Sequence, residues 1–492
     1  MDSSIKEGVD NPAFKSDEST DNPPVVVEVP EVDNGRTKSM KFVIMKNIII
    51  MSIAFTFNFT AYNAMANLQS SINAQLGTAS LSTLYAALVV SCMFVPSWLI
   101  RKLKYKKTTA LCMLAYSTYI AAQFYPEYYT LVPTAIIVGI GAAPMWSAQC
   151  SYFTQAGQTF AKLTGEDSEV VVTRFFGIFF LFFQSSQIWG NLISSLVLNR
   201  GAASADKNAT TIEEYCGANF MPGVDIPFGE GEDANEIRDE DRYLMSGIYL
   251  ACAILSSAIV FIFVDPLSKF CTEETSNSNK TGLQLVVATF NLMRNPYQLL
   301  IIPLTIWSGL EQAFIGADFT ASYVQCGLGV EMVGYVLICY GVVDSIFSLS
   351  LSHVVKLVGR IPVFTMGAVI NFSVIIALLF WVPDPDQPVL FFVFAGLWGV
   401  SDAVWQTQIN AFYGVLFPGQ SEAAFSNYRL WESLGFIIAY ACSTAIGTDA
   451  KIYMLIVFII LGIAGYYAIE IIEKKGGLRK DSNGKVIKID RY

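Results

Sequence analysis

The sequence has 492 residues, of which 53% are apolar and 15% charged, and its mean hydropathy is +0.46. A soluble chain of that length would carry roughly 25% charged residues and divide into several domains, so this balance excludes one. The net charge of −10 gives no electrostatic footprint for nucleic acid, and none is expected as a partner.

Residues 1–41 are polar, with the turn-forming runs Asp10–Asn11–Pro12 and Asn22–Pro23–Pro24, and too little apolar area to fold. They predict a disordered cytoplasmic tail without a secretory signal. Within it, Asn11–Pro12–Ala13–Phe14 reads N-P-x-F, a turn-forming tetrapeptide that an endocytic adaptor can take up. Ordinary turn chemistry in a floppy segment produces the same residues.

Apolar runs then recur near 43–66, 81–100, 108–125, 130–150, 173–198, 243–264, 298–320, 331–353, 362–382, 389–412, 430–448 and 452–472. A bilayer core takes roughly 20 apolar residues per helix, so the expectation is an all-α polytopic membrane protein with twelve transmembrane helices. With both ends in the cytoplasm, 26 basic residues fall inside and five outside, as the positive-inside rule requires. The expected divisions are an N-terminal six-helix half over 42–264, a cytoplasmic central loop over 265–297, a C-terminal half over 298–472 and a tail over 473–492. The outer loop 199–242 is acidic and carries the sequon Asn208–Ala209–Thr210, a glycosylation candidate on that side. Cys216 lies in this loop and Cys326 in an outer loop of the other half, so a disulfide between them is one option. The nine cysteines have no metal-like spacing, and neither a metal nor a cofactor is expected.

The halves share a pattern. Trp146, Gln149 and Phe153 read W-x-x-Q-x-x-x-F, and so do Trp405, Gln408 and Phe412, displaced by 259 residues. Arg174 and Arg429, each opening the following span, are displaced by 255, and RKLKYKK at 101–107 and Lys356–Arg360 are both basic loops between second and third spans. Together they support a parallel duplication into two pseudo-symmetric halves.

Polar residues inside the spans are the candidate functional groups. Gln184, Gln187, Asn191 and Ser195 fall at i, i+3, i+7 and i+11, on one helix face. An amide facing lipid loses its hydrogen bonds at a cost of several kcal/mol, so this face lines a central cavity or bonds a neighbouring helix. Asn58, Tyr62, Asn63 and Asn67 make a similar run in the first span. The acids all belong to the C-terminal half: Glu311 and Asp318 in the seventh span, Asp344 in the eighth, Asp402 in the tenth and Glu432 in the eleventh. Arg429 accounts for Glu432 as an i, i+3 pair, and Asp318 is expected at the interface. No basic residue lies mid-span to pair Glu311, Asp344 or Asp402. These three therefore either serve a function, holding a proton, a cation or a partner's basic group, or are hydrogen-bonded structure. His353 is the only histidine, and no nucleophile motif, P-loop or dinucleotide fingerprint is present. An enzyme is not expected.

Arg174–Phe175–Phe176–Gly177–Ile178–Phe179–Phe180 and the run from Gln184 to Ser195 resemble the span-5 signature of the Unc-ninety-three-like proteins, a branch of the major facilitator superfamily. Ala424–Phe425–Ser426–Asn427–Tyr428–Arg429–Leu430–Trp431 resembles the same family's entry to span 11. The superfamily's usual loop signature has lost its acid here, and only Gly359–Arg360 remains of it in the second half. The resemblance implies a two-half facilitator fold and an accessory role, as a regulatory subunit of a potassium channel or a trafficking chaperone of a receptor. It names no solute. The competing expectation is a proton- or cation-coupled transporter with a midplane site lined by Asn63, Gln187, Glu311 and Asp344.

Overall fold

The computed structural model describes residues 34–72, 74–166, 168–198, 209–224, 238–270, 287, 290–417 and 421–475. The tail tetrapeptide Asn11–Phe14, the sequon asparagine Asn208 and the side chain of His353 lie outside them. The described residues form helices and no strand. In chain order these are α1 (Asn34–Ile72), α2 (Ala74–Ala122), α3 (Tyr128–Thr164), α4 (Ser168–Leu198), a short α5 (Ala209–Tyr215) and α6 (Asp239–Phe263). The second half continues with α7 (Pro296–Gln325), α8 (Val330–Val358), α9 (Arg360–Phe380), α10 (Val389–Leu416), α11 (Ser421–Ser443) and α12 (Thr448–Lys474).

Local sequence accounts for several boundaries. Asn295 caps α7 by accepting a hydrogen bond from the Tyr297 amide (2.9 Å), with Pro296 at the first helical position. Asp239, Glu240 and Asp241 sit on the first turn of α6, where the helix dipole favours anions. Gly165 ends α3 in the left-handed conformation at φ 73°.

Every expected span coincides with helix. Among the described residues nine helices are long and apolar enough to cross a membrane, and the chain is a multi-pass membrane protein. The other three expected spans are the second arm of α2, α4 and α11. α4 carries the amide run and α11 the Arg429–Glu432 pair, which lower their hydropathy.

Two differences from the sequence expectation stand out. The second and third spans are joined without an interhelical loop, since α2 is helical throughout except at Lys104, whose φ of 62° and ψ of 168° break it into two arms. Gly359, 255 residues on, joins α8 to α9 with φ 80° and ψ 172°. The two junctions are thus copies of one backbone turn, at the same offset as Arg174 and Arg429. The second half keeps the glycine that the conformation favours, and the first holds it with a lysine. Both α7 and α10 also depart from α-helical bonding, through π-helical segments at Phe314–Gln325 and Trp405–Ile409.

The helix neighbours repeat between halves: α1 packs on α4 and α6, as α7 packs on α11 and α12. The halves meet where α4 lies against α8, α2 against α11, and α1 against the π-helical part of α7. These contacts are backbone-close. A Cβ on Gly334 of α8 would lie 2.0 Å from Ser195 Oγ of α4, and within the second half one on Gly309 of α7 would lie 2.0 Å from the Glu432 carbonyl of α11. Small residues at such crossings let helices bond without a hydrophobic drive from lipid.

The end of the bundle where α1 begins is pinned by ion pairs. Lys46 and Lys269 both bond Asp265 (2.6 and 2.7 Å), and Arg360 bonds Glu470 (2.5 Å). At the opposite end, residues 209–224 cross from the first half onto the second. Cys216 is joined to Cys326 by a disulfide (Cα atoms 5.7 Å apart), and the Phe220 carbonyl accepts from the Thr448 amide (3.0 Å).

Two outcomes follow. Replacing Lys104 with glycine removes a strained conformation, and thermal unfolding of the detergent-solubilised protein should show a gain of about 1 kcal/mol. Peptide mapping without reductant should recover the Cys216 and Cys326 peptides as one linked species that separates on adding dithiothreitol.

Candidate functional site

Between the halves lies a central cavity with about 1070 Å³ of empty space, its mouth included. α1 brings Tyr62, Asn63 and Asn67 to its wall, and α4 brings Phe180, Phe183 and Gln187. From the second half come Gln312, Tyr340, Gln406 and, on α11, Arg429, Glu432, Phe436 and Tyr440. Tyr85 of α2 stacks on Phe436 (centroids 4.2 Å apart, 7° between planes), so an aromatic pair in the cavity wall joins the two halves.

The amide runs of α1 and α4 form one network. Asn67 Nδ2 donates to Gln187 Oε1 (3.0 Å) and Asn191 Oδ1 (3.4 Å), and Asn63 Nδ2 donates to Ser186 Oγ (3.1 Å). Asn191 Nδ2 in turn donates to the Gln187 carbonyl (2.7 Å). The amides therefore act as interhelical bonds and, for Asn63, Asn67 and Gln187, as cavity wall as well. Asn58 differs: its Oδ1 accepts from Ser256 Oγ of α6 (3.3 Å), inside the first half and away from the cavity. The five-position step from Asn58 to Asn63 turns the two side chains to different neighbours.

The candidate acids gather behind the cavity wall instead of lining it. Glu311, Asp344 and Asp402 are at most 1% exposed, and Asp402 lies within hydrogen-bonding reach of both others. Trp398 Nε1 donates to Glu311 Oε2 (2.6 Å), Tyr340 Oη donates to Asp402, and Ser348 Oγ donates to Asp344 Oδ1 (3.0 Å). Gln184 Nε2, from the other half, donates to Asp344. The midplane site expected from Asn63, Gln187, Glu311 and Asp344 is thus divided: two amides face the cavity and two acids stand behind Tyr340 and Gln406. Among the described residues no set of three His, Cys, Asp or Glu side chains is placed to hold a metal ion.

Asp318, expected at the interface with no basic residue mid-span to pair it, has a basic partner in the fold. It is 4% exposed, and its Oδ1 accepts from Lys451 Nζ (2.8 Å) and Ser443 Oγ (2.9 Å). Lys451 opens α12 and reads in sequence as an outer-loop residue, yet the fold buries it against α7.

The residue that sequence reasoning undervalued is Arg429. Its duplicate, Arg174, is exposed at the start of α4, where its guanidinium holds the Glu166 carboxyl below the usual carboxylate range. Arg429 instead lines the cavity, pairs with Glu432 (2.6 Å) and stacks 4.5 Å over the Trp146 ring of α3. Trp146 was visible as part of the repeated W-x-x-Q motif, but nothing in the spacing joined it to Arg429. Its copy, Trp405, is buried and donates to Asn371 Oδ1 (2.6 Å).

The family described as "Ion channel regulatory protein UNC-93" matches residues 68–467. The protein named unc-93 homolog A of Xenopus laevis is 42% identical over 437 residues, covering 87% of this chain and 94% of that one. A Caenorhabditis elegans relative, named as a candidate potassium channel regulatory protein, unc-93, is 36% identical over 444 residues, covering 89% of this chain and 62% of its own. Among solved structures, the major facilitator superfamily transporter FucP in its outward conformation aligns with a TM-score of 0.56 at 11% identity, covering 86% of this chain and 99% of its own. The fold is therefore that of the major facilitator superfamily.

The cavity pair is open to test. Glu432→Gln leaves Arg429 without its anion, and unfolding in detergent should show a loss of about 3 kcal/mol. The double variant Arg429→Met with Glu432→Gln should recover most of it; a double variant as unstable as the single one would argue against the pair.

Proposed function

Because this chain belongs to the UNC-93 family of ion channel regulatory proteins, we propose that it is a non-enzymatic accessory subunit that binds a potassium channel and sets its activity. The observation carrying this reading is the family match across residues 68–467, nearly the whole membrane region. The nematode relative's name as a channel regulator supports the choice of potassium. A sequence with a single histidine and no nucleophile motif gives an enzyme nothing to work with.

The chain acts within the lipid bilayer, with both ends cytoplasmic and residence in the plasma membrane. Asn208 is the glycosylation site of the outer loop, and Asn11–Phe14 offers an adaptor a means of recycling the protein through endosomes. The partner of the membrane region is a channel subunit; a receptor subunit is the second candidate that the family allows.

One observation favours a second reading. A polar-walled cavity between two facilitator halves is the place where a secondary transporter holds its solute, and Gln187 and Asn63 stand in its wall. Co-expression separates the two. With a potassium channel, the protein is expected to co-purify and to change the current at constant channel abundance, while proteoliposomes containing it alone take up nothing. Uptake of a solute or cation by those proteoliposomes, lost in Gln187→Ala, would establish the transporter reading instead.

A further inference from the structure

The three acids behind the cavity wall carry an inference that holds whether the chain regulates a channel or carries a solute. Their surroundings supply four donors, from Trp398, Tyr340, Ser348 and Gln184. Two acceptors remain unfilled, Glu311 Oε1 and Asp402 Oδ1. The Gln406 side chain, 6% exposed and one helical turn from Asp402, faces the cluster as well. So two carboxyl oxygens of the cluster receive no hydrogen bond. A buried oxygen left without a hydrogen bond inside a membrane protein costs several kcal/mol.

The charge count leads to the same place. Among the described residues the basic side chains nearest in the second-half bundle are already engaged, Arg429 by Glu432 and Lys451 by Asp318. Three bare carboxylates packed together would repel one another in a medium that screens them poorly. The cluster is not arranged to hold a metal ion. Protons are the ligand that both balances the charge and turns an empty acceptor into a donor.

A route exists. Tyr340 and Gln406 line the cavity on one side and face Asp402 on the other. A response exists too, because Asp344 accepts the amide of Gln184 and so holds α8 of one half to α4 of the other. We propose that Glu311, Asp344 and Asp402 form a proton-binding site, loaded from the central cavity through Tyr340, whose occupancy weakens the Gln184–Asp344 contact between the two halves.

The step is proton transfer alone. The Tyr340 hydroxyl passes its hydrogen to Asp402 while its oxygen takes one from a hydronium ion in the cavity, which is left as water, so no charge stays on the ring. Redistribution to Glu311 or Asp344 follows through the carboxyl contacts. A proton on Asp344 replaces a charge-assisted hydrogen bond by a neutral one of roughly half the strength. Of the groups facing the cluster, Tyr340 of α8 is the other that titrates, whereas Trp398 and Gln406 of α10 and Gln184 of α4 do not. The Arg429–Glu432 pair of α11 faces the same cavity and is the remaining charged set.

The test uses the full chain in lipid nanodiscs and two readouts. Infrared difference spectra of the wild type should show a protonated-carboxyl band that grows as the bulk is acidified and shifts in deuterium oxide. Glu311→Gln, Asp344→Asn and Asp402→Asn should each remove a component of it, and Tyr340→Phe should slow the isotope shift several-fold. Hydrogen exchange, corrected for its intrinsic pH dependence, should show α4 and α8 less protected at acid pH in the wild type. In Asp344→Asn they should be equally unprotected at every pH. The proposal is overturned if the wild type shows no titrating carboxyl band. It is also overturned if the band survives all three substitutions, or if α4 and α8 keep their protection while the band titrates.

Discussion

A hydrogen bond joins the two halves of this protein where water is scarce: the Gln184 amide of α4 on the Asp344 carboxylate of α8. An amide or a carboxylate placed inside a bilayer-embedded bundle has to find its partner on a neighbouring helix, because lipid offers none. The remaining architecture is consistent with that constraint. Glycines on α8 let α4 come within reach, and Tyr340, Ser348 and Trp398 surround the acids with donors. The amides of α1 and α4 satisfy one another before they reach the cavity. The same economy explains Asp318, which draws the Lys451 ammonium into the bundle.

The duplication supplies the frame, and divergence within it supplies the site. Backbone features persist between copies, as the shared turn at Lys104 and Gly359 shows. Side-chain roles do not. Arg174 is exposed and pairs with a neighbouring loop acid, while Arg429 enters the cavity and crosses to Trp146 of the other half. Trp405, the copy of Trp146, has retired into the core. Charge is concentrated in the second half and neutral amides in the first, so the interface between them matches donors to acceptors. A channel regulator and a transporter can both be built on such an interface. The family membership supports the regulator, and the proposed proton site is compatible with either.

Reading the site from sequence succeeded where one helix was enough. The i, i+3, i+7 spacing placed Gln187 and Asn191 in a single bonded network, and the i, i+3 spacing paired Arg429 with Glu432. It fell short where two or three helices had to be combined. Asn58 shares a span with Asn63 but points to α6. Glu311 and Asp344 are polar enough to line a cavity, yet stand behind its wall. Lys451 reads as a loop residue because its partner is 133 positions away.

Composition and periodicity alone determined that the chain is a helical membrane protein, where its helices run and that its halves are related, because each of these depends on hydropathy and spacing along one segment. The family resemblance was equally legible, since it rests on contiguous residues. What only the tertiary structure decided is which polar groups meet: the acid cluster, the cavity with Arg429 and Trp146 on one wall, and the strap between halves held by Cys216 and Cys326. Each requires the rotation and depth of helices from both halves, and those are set by backbone-close packing at glycines that leaves no periodic mark in the chain.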